Sequence, residues 1–278
     1  MGSRQIVDGV LSDSGQVGLD VLSPGFAYGF GLFETIKFVE GRPCFFKEHY
    51  LRLRRAARDA AMALPFDIDE MRAQALRLFE ENRVKEGVFK IVLTGEGAGA
   101  LTVVFLRSVG LELSNDPIRV RLSDTVKASR AFTTKRKTMN YMDNWLELKR
   151  AQTHGFDQCL FVNELGKVTE CATANVFFFE NGALKTPALE CGLLDGVIRG
   201  QVLEIAEEMG WRVEEGAFDL EEFESAEEVF ATSSGKGLRS VSEFSGPRAI
   251  SFPTVDSERL GELKRRLAER EIASLEGS

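Results

Sequence analysis

The segment from Val88 to Leu106 constrains this chain more than any other. Two strongly apolar runs, Val88-Phe89-Lys90-Ile91-Val92-Leu93 and Leu101-Thr102-Val103-Val104-Phe105-Leu106, flank Thr94-Gly95-Glu96-Gly97-Ala98-Gly99-Ala100. Runs of that length, rich in β-branched residues and separated by glycines, read as two strands joined in a hairpin. Phosphate-binding loops are also glycine-rich, but they lead into a helix N-terminus, whereas this one leads into a strand, so its glycines serve the turn. Lys90 interrupts the first run, and it either snorkels to an exposed sheet face or reaches a substrate carboxylate.

Strands and helices interleave around that hairpin. Gly31 to Phe38 alternates as a strand, Gly41-Arg42-Pro43 turns the chain, and Lys47 to Ala63 follows as a helix. Asp67 to Asn82 is a second helix, with Met71, Ala75, Leu76 and Phe79 at helical spacing and Asp67 or Asp69 as its cap. A polar stretch and Pro117 then interrupt the pattern before the strand Ile118 to Leu122, which places a domain boundary there, with domains 1–115 and 116–278. The second half reads as a helix from Asn140 to His154 stopped by Gly155, and strands at Gln158 to Asn163, Ala174 to Phe179 and Leu184 to Pro187. Glu170 falls between paired strands. A helix opened by Cys191 to Gly200 runs to about Met209 with Gly210 as its cap, and an amphipathic helix from Ser257 to Leu275 carries Leu260, Leu263 and Leu267 on one stripe. The chain is therefore an α/β (α+β) protein of two domains.

Composition removes several classes of function. A length of 278 residues with 44% hydrophobic side chains suffices for a sizeable core. The net charge of -8 and the lack of a long basic run exclude a nucleic-acid binder, and no apolar run approaches a membrane span. Cys44, Cys159, Cys171 and Cys191 lie far apart, which fits reduced thiols better than disulfides or a zinc site, and with only His49 and His154 as histidines no metal is expected. With no apolar leader after Met1-Gly2-Ser3-Arg4-Gln5, the cytoplasm is the expected location.

Two segments carry the chemistry, Lys137-Thr138-Met139-Asn140-Tyr141 and Val168-Thr169-Glu170-Cys171-Ala172-Thr173-Ala174-Asn175-Val176-Phe177. A lysine in Schiff-base linkage to pyridoxal phosphate, with a carboxylate facing the ring nitrogen, turns the cofactor into an electron sink. Read alone, Lys137 is one member of a basic run and Glu170 a solvent-facing carboxylate. With Gly25 to Thr35, Glu48 to Leu53, Gly192 to Arg199 and Glu228 to Ser234, however, these segments make the chain resemble the class IV (fold type IV) pyridoxal-phosphate-dependent aminotransferases, a family that includes branched-chain and D-amino acid aminotransferases and aminodeoxychorismate lyase.

The resemblance implies a two-domain fold type IV enzyme, with a small N-terminal α/β domain, a larger barrel-like C-terminal α/β domain, the cofactor pyridoxal 5'-phosphate in the cleft between them, and a homodimer. It also implies the roles. Lys137 is the Schiff-base lysine and proton shuttle, and Glu170 keeps the pyridine nitrogen protonated. Arg52 grips the cofactor phosphate, with backbone N–H groups of Val197 and Ile198 and the hydroxyls of Ser234 and Ser233 completing the cup. Tyr141 meets the ring's phenolate oxygen and Asn175 orders the loop around Glu170. Tyr28 and Phe33 are either core packing or walls of the substrate pocket, and Lys90 is the candidate for a substrate carboxylate.

The chain also departs from the family pattern. Ile198 stands where threonine is common, Asp195 where proline is common, and Gly95-Glu96-Gly97 where relatives often carry an Arg-Gly pair. Three functions follow as expectations. The first is transamination between an amino acid or primary amine and a 2-oxo acid. The second is an aminodeoxychorismate lyase that releases pyruvate and 4-aminobenzoate, and the third is a catalytically silent pyridoxal-phosphate binder.

Overall fold

The computed structural model describes residues 4–13, 16–18, 20–95, 101–110, 116–252 and 257–276. The chain divides into two compact units: unit 1 is Met1–Glu112, Lys137–Asn140 and Arg270–Ser278, and unit 2 is Leu113–Arg136 and Tyr141–Glu269. Residues 111–115, at the expected domain boundary, and residues 96–100 of the glycine-rich turn lie outside the described residues.

Unit 1 is built on a sheet of β1 (Gln5–Val7), β2 (Val10–Ser12), β3 (Gly31–Val39), β4 (Arg42–Pro43), β5 (Gly87–Thr94) and β6 (Leu101–Val109), in the order β2-β1-β6-β5-β3-β4. Strands β5 and β6 pair antiparallel, as their apolar runs require. Three helices accompany them: α1 (Pro24–Tyr28), α2 (Phe46–Asp59) and α3 (Ile68–Asn82). The start of α3 is fixed by a reciprocal capping box in which Asp67 accepts from the Glu70 N–H and Glu70 accepts from the Asp67 N–H. Helix α2 ends before the expected Ala63, because the chain leaves the helix at Ala60 and takes the left-handed conformation at Ala61, φ +53°. Phe38, Phe79 and Phe89 pack together in the core, the first two stacked with centroids 4.1 Å apart. The last residues join this unit through Lys37 Nζ to Glu271 Oε2 at 2.6 Å and the Phe45 N–H to Ser274 Oγ at 3.1 Å.

Unit 2 contains β7 (Ile118–Leu122), β8 (Gln158–Val162), β9 (Val168–Cys171), β10 (Asn175–Glu180), β11 (Ala183–Pro187), β12 (Arg212–Gly216), β13 (Glu228–Ser233), β14 (Gly237–Ser245) and β15 (Ala249–Ser251). Its helices are α4 (Phe132–Lys135), α5 (Met142–Thr153), α6 (Val197–Glu208), α7 (Leu220–Glu224) and most of α8 (Glu258–Glu276). The order β10-β13-β14-β7-β8-β9 closes on itself, because β9 also pairs with β10 at a single residue pair, Glu170 opposite Asn175. Six strands thus form a barrel whose interior is filled by Phe178, Phe218, Phe223 and Phe244 in edge-on contacts 5.2–5.7 Å apart.

Two local expectations change. Glu170 lies within β9 rather than between strands, since Val168–Cys171 is short and fully buried and its alternation is hidden. Helix α5 starts at Met142 rather than Asn140, whose side chain instead donates to the Gly29 carbonyl at 3.0 Å. No helix among the described residues is long and apolar enough to cross a membrane.

Candidate active site

The candidate residues fall into two sets, one in each unit. In unit 1, Lys137 rides on a short strand-like segment laid against the start of β3. The Phe33 N–H donates to the Lys137 carbonyl at 2.9 Å, the Met139 N–H donates to the Gly31 carbonyl at 2.8 Å, and Leu32 bridges Thr138. Gly31 is required there: a Cβ would lie 2.4 Å from Met139 Sδ and 2.9 Å from the Leu93 carbonyl oxygen. These backbone bonds set the position of Lys137 independently of its side chain. Its Nζ lies 4.6 Å from the centroid of buried Phe33, and Lys90 Nζ lies 4.2 Å from the same centroid. Burial, then the charge of Arg107, lowers the Lys90 pKa. Tyr28, at the end of α1, is 75% exposed.

Beneath Phe33 in sequence sits a buried charge network. Arg52 on α2 grips Glu34 on β3 with Nε to Oε1 at 2.8 Å and Nη2 to Oε2 at 2.6 Å, and His49 Nδ1 meets Oε2 at 2.8 Å. Burial alone would raise the Glu34 pKa, but the Arg52 charge and the hydrogen bonds from Arg52 and His49 outweigh it and bring it to about 2. Burial lowers the His49 pKa despite its bond to Glu34. Arg52 is thus held in one orientation by a carboxylate that the sequence reading passed over. Its only advance signal was a lone acid in the apolar run Leu32-Phe33-Glu34-Thr35.

In unit 2 the candidate side chains Glu170 and Asn175 meet where the barrel closes. Glu170 Oε2 accepts from the Leu194 N–H at 3.1 Å and from Asn175 Nδ2 at 3.4 Å, while Oε1 accepts from Lys127 Nζ at 2.9 Å. Asn175 Nδ2 also donates to the Leu194 carbonyl at 2.9 Å and so ties the loop before α6 to the barrel. That loop ends at Gly196, the N-cap of α6, where a Cβ would stand 2.0 Å from Asn175 Oδ1. Gly196 makes no side-chain cap, so the first turn of α6, with the N–H groups of Val197 and Ile198, presents the positive end of the helix there. Arg199 is turned away from this end, bonding the Pro187 carbonyl at 3.0 Å and Glu215.

Strand alternation sorts the hydroxyls. Thr232 is the register partner of Asn175, so the two side chains share one face of the sheet. Its Oγ1 is buried and has no hydrogen-bond partner among the described residues. Ser233, the next residue, faces the other way and lines a cavity of about 340 Å³ with Thr173, Gln158, Lys236 and Arg239. Ser234 follows in the turn. Thr232 was hidden in the sequence because a threonine in a buried strand reads as β-branched packing.

The Tyr141 hydroxyl donates to the Ala172 carbonyl at 2.5 Å, alongside Asn144 Nδ2 at 2.7 Å. Cys44, Cys159, Cys171 and Cys191 are free and buried, and burial pushes every one of these thiols up, Cys44 and Cys159 to about 12, which leaves them unreactive.

Comparison with known proteins places this arrangement in context. The family model described as amino-transferase class IV matches residues 31–244. A putative branched-chain-amino-acid aminotransferase of Methanocaldococcus jannaschii is 26% identical over 279 residues, spanning 95% of this chain and 93% of the relative. The aminodeoxychorismate lyase of Bacillus subtilis is 28% identical over 229 residues, spanning 77% and 78%. Among solved structures, the branched-chain aminotransferase of Thermoproteus uzoniensis with norvaline shares the fold at a TM-score of 0.88 and 24% identity, covering 99% of this chain and 98% of that one.

Proposed function

Because the chain belongs to the class IV aminotransferases, we propose that it is a pyridoxal-phosphate enzyme that moves an amino group between an amino acid or primary amine and a 2-oxo acid, with Lys137 as the covalent anchor. The observation that carries this reading is the ionisable pair at opposite ends of the chemistry: a lysine fixed through its backbone and a buried carboxylate fixed by three donors. The donor set fits the cofactor. An uncapped helix start and the orphaned Thr232 hydroxyl suit a phosphate, and Glu170 suits a protonated ring nitrogen. When bound, pyridoxal phosphate supplies an aldehyde for the substrate amine and a ring that accepts the electron pair left on the α-carbon.

Each residue then has a defined task. Lys137 Nζ would take the α-proton and return it at the neighbouring carbon. Glu170 keeps the ring nitrogen protonated, with Asn175 holding its carboxylate. Val197 and Ile198 offer N–H groups to the phosphate, Thr232 and Ser234 offer hydroxyls, and Arg52 offers a guanidinium preset by Glu34. Tyr141 lies beside Glu170's strand and would serve the ring oxygen as a donor by turning its single O–H away from the Ala172 carbonyl. A homodimer belongs to the same reading, supported by Met142, Trp145 and Leu146 on α5, which are 76%, 50% and 42% exposed. So does a cytoplasmic location, supported by four unpaired thiols.

The lyase reading stays open on one observation. Lys90 places a second cation on the Phe33 ring that Lys137 also meets, and a substrate with carboxylates on both its ring and its side chain calls for such a charge. One experiment separates the readings: holoenzyme is mixed separately with L-amino acids, D-amino acids, an aromatic amine and aminodeoxychorismate while the cofactor spectrum is followed. Lasting conversion to the pyridoxamine form by one donor class is the expected result. Pyruvate and 4-aminobenzoate released with the original spectrum restored would establish the lyase, and no change with any donor would leave a silent binder.

Thr232 gives a sharper test of the phosphate cup. Thr232→Val keeps the shape and removes a buried hydroxyl that has no partner, so the apoprotein keeps its stability or gains slightly. Cofactor affinity falls about tenfold, the worth of one bond to an anionic oxygen. Unchanged affinity by fluorescence titration would remove Thr232 from the cup.

A further inference from the structure

Lys127 is a buried cation to which neither the family motifs nor the chemistry above assigns a task. It lies ten residues before Lys137 in sequence but in unit 2, where its backbone N–H donates to the Val162 carbonyl at 2.9 Å and it bridges Asn163 beyond the end of β8. Its side chain is 9% exposed and that of Glu170 is 8% exposed. The ammonium sits 2.9 Å from Glu170 Oε1 and 4.7 Å from the centroid of the Phe161 ring, which walls it from solvent. Buried ion pairs rarely add stability over apolar residues of the same size, so a pair retained at this depth calls for a reason other than holding the fold.

The geometry supplies one. Glu170 has a donor on each oxygen: Lys127 on Oε1, and the Leu194 N–H with Asn175 Nδ2 on Oε2. Donors on both oxygens fix the plane of the carboxylate, and the lysine cancels most of the field that a bare carboxylate would present. We propose that Lys127 is a positioning and charge-setting residue for Glu170, so that the cofactor's ring nitrogen meets an oriented but electrically compensated carboxylate. This rests on the reading of Glu170 given above. A bare carboxylate would strengthen the hold on the ring proton, and the Lys127 charge would moderate that hold while leaving Glu170 its place opposite the ring nitrogen.

The sign of the effect follows. Removing Lys127 leaves Glu170 a stronger anion, which favours the protonated, cationic form of the bound cofactor and raises the pH midpoint of its visible band. Other titratable groups near the pair do not obscure the change. Cys159 and Cys171 are neutral thiols, Arg121 is paired with Asp124 at 3.0 Å, and Glu147 is bound by the Asp124 N–H, Thr125 and Arg150.

The test uses holoenzyme and reads that midpoint together with thermal stability. In Lys127→Met the midpoint is expected to rise by about one pH unit, and Lys127→Arg is expected to restore it. In a Glu170→Gln background the Lys127→Met shift should vanish, which makes the pair a double-mutant cycle. Should Lys127→Met fail to fold, Lys127→Gln keeps a donor to Oε1 without the charge and carries the same expectation. A folded variant with an unmoved midpoint and only a lower Tm would make Lys127 structural and overturn the proposal, as would a shift that persists without the Glu170 charge. Absence of any visible band in the wild-type holoprotein would instead overturn the reading of Lys137, a separate failure.

Discussion

Lys137→Ala is expected to abolish the visible absorbance of the bound cofactor and to lower turnover by at least about 10³-fold, while Tm moves by no more than about 4 °C. The two effects separate because the segment is held by backbone. The bonds between Phe33, Lys137, Met139 and Gly31, and the bridge from Leu32 to Thr138, do not need the lysine side chain. The variant loses a cation over the Phe33 ring, worth about 0.5–1 kcal/mol, and gains relief from the charge of Lys90 on the same ring. Absorbance titration with pyridoxal phosphate and thermal melting decide the matter. A visible band surviving in the variant would move the covalent bond to another lysine.

The largest stability effect is expected at Glu34. Glu34→Ala leaves Arg52 and His49 buried without their acceptor, a loss of about 3–5 kcal/mol in urea unfolding of the apoprotein, together with weaker cofactor binding as Arg52 loses its orientation. The wild-type pH profile carries the same signature. Arg52 and His49 hold the Glu34 carboxyl down at about 2 in the folded chain against an ordinary 4.5, so its stabilisation is present above pH 4.5 and is lost as pH falls towards 2. His49 acts earlier: burial lowers its folded pKa, so below the ordinary value of 6.5 the unfolded chain takes up a proton more readily than the folded chain does. Stability therefore begins to fall just below pH 6.5 and falls further below pH 4.5. In Glu34→Ala the lower step should be smaller, and a profile identical to wild type would show that the network does not govern acid unfolding.

The sequence made the strong local signals legible. The hairpin strands, the capping box at Asp67 and the stop at Gly155 depend on near neighbours, and each element lies within a few residues of its expected place. The family motifs marked Lys137, Glu170 and Asn175 as candidates. What stayed hidden depends on pairing between distant segments. Lys127 and Glu170 are 43 residues apart, and nothing in Val126-Lys127-Ala128 marks that lysine as buried. Thr232 and Ser233 look interchangeable in sequence, and only the register with β10 shows that one shares the face of Asn175 while the other turns to a cavity. The short strands β1, β2, β12 and β15 have three to five residues each, too few for a periodicity to declare itself.

The make-up of unit 1 has a consequence for how the protein is born. This unit needs residues 137–140 and the stretch from Arg270 onward as well as its first 112 residues. On a ribosome adding about 5–20 residues per second, roughly ten to thirty seconds separate the emergence of its first part from its last. During that interval the sheet of β1 to β6 waits without the strand-like segment beside β3, and Lys37 and Phe45 wait for Glu271 and Ser274. The lysine on which the proposed chemistry depends therefore settles into a unit whose last stretch follows the whole of the other unit along the chain.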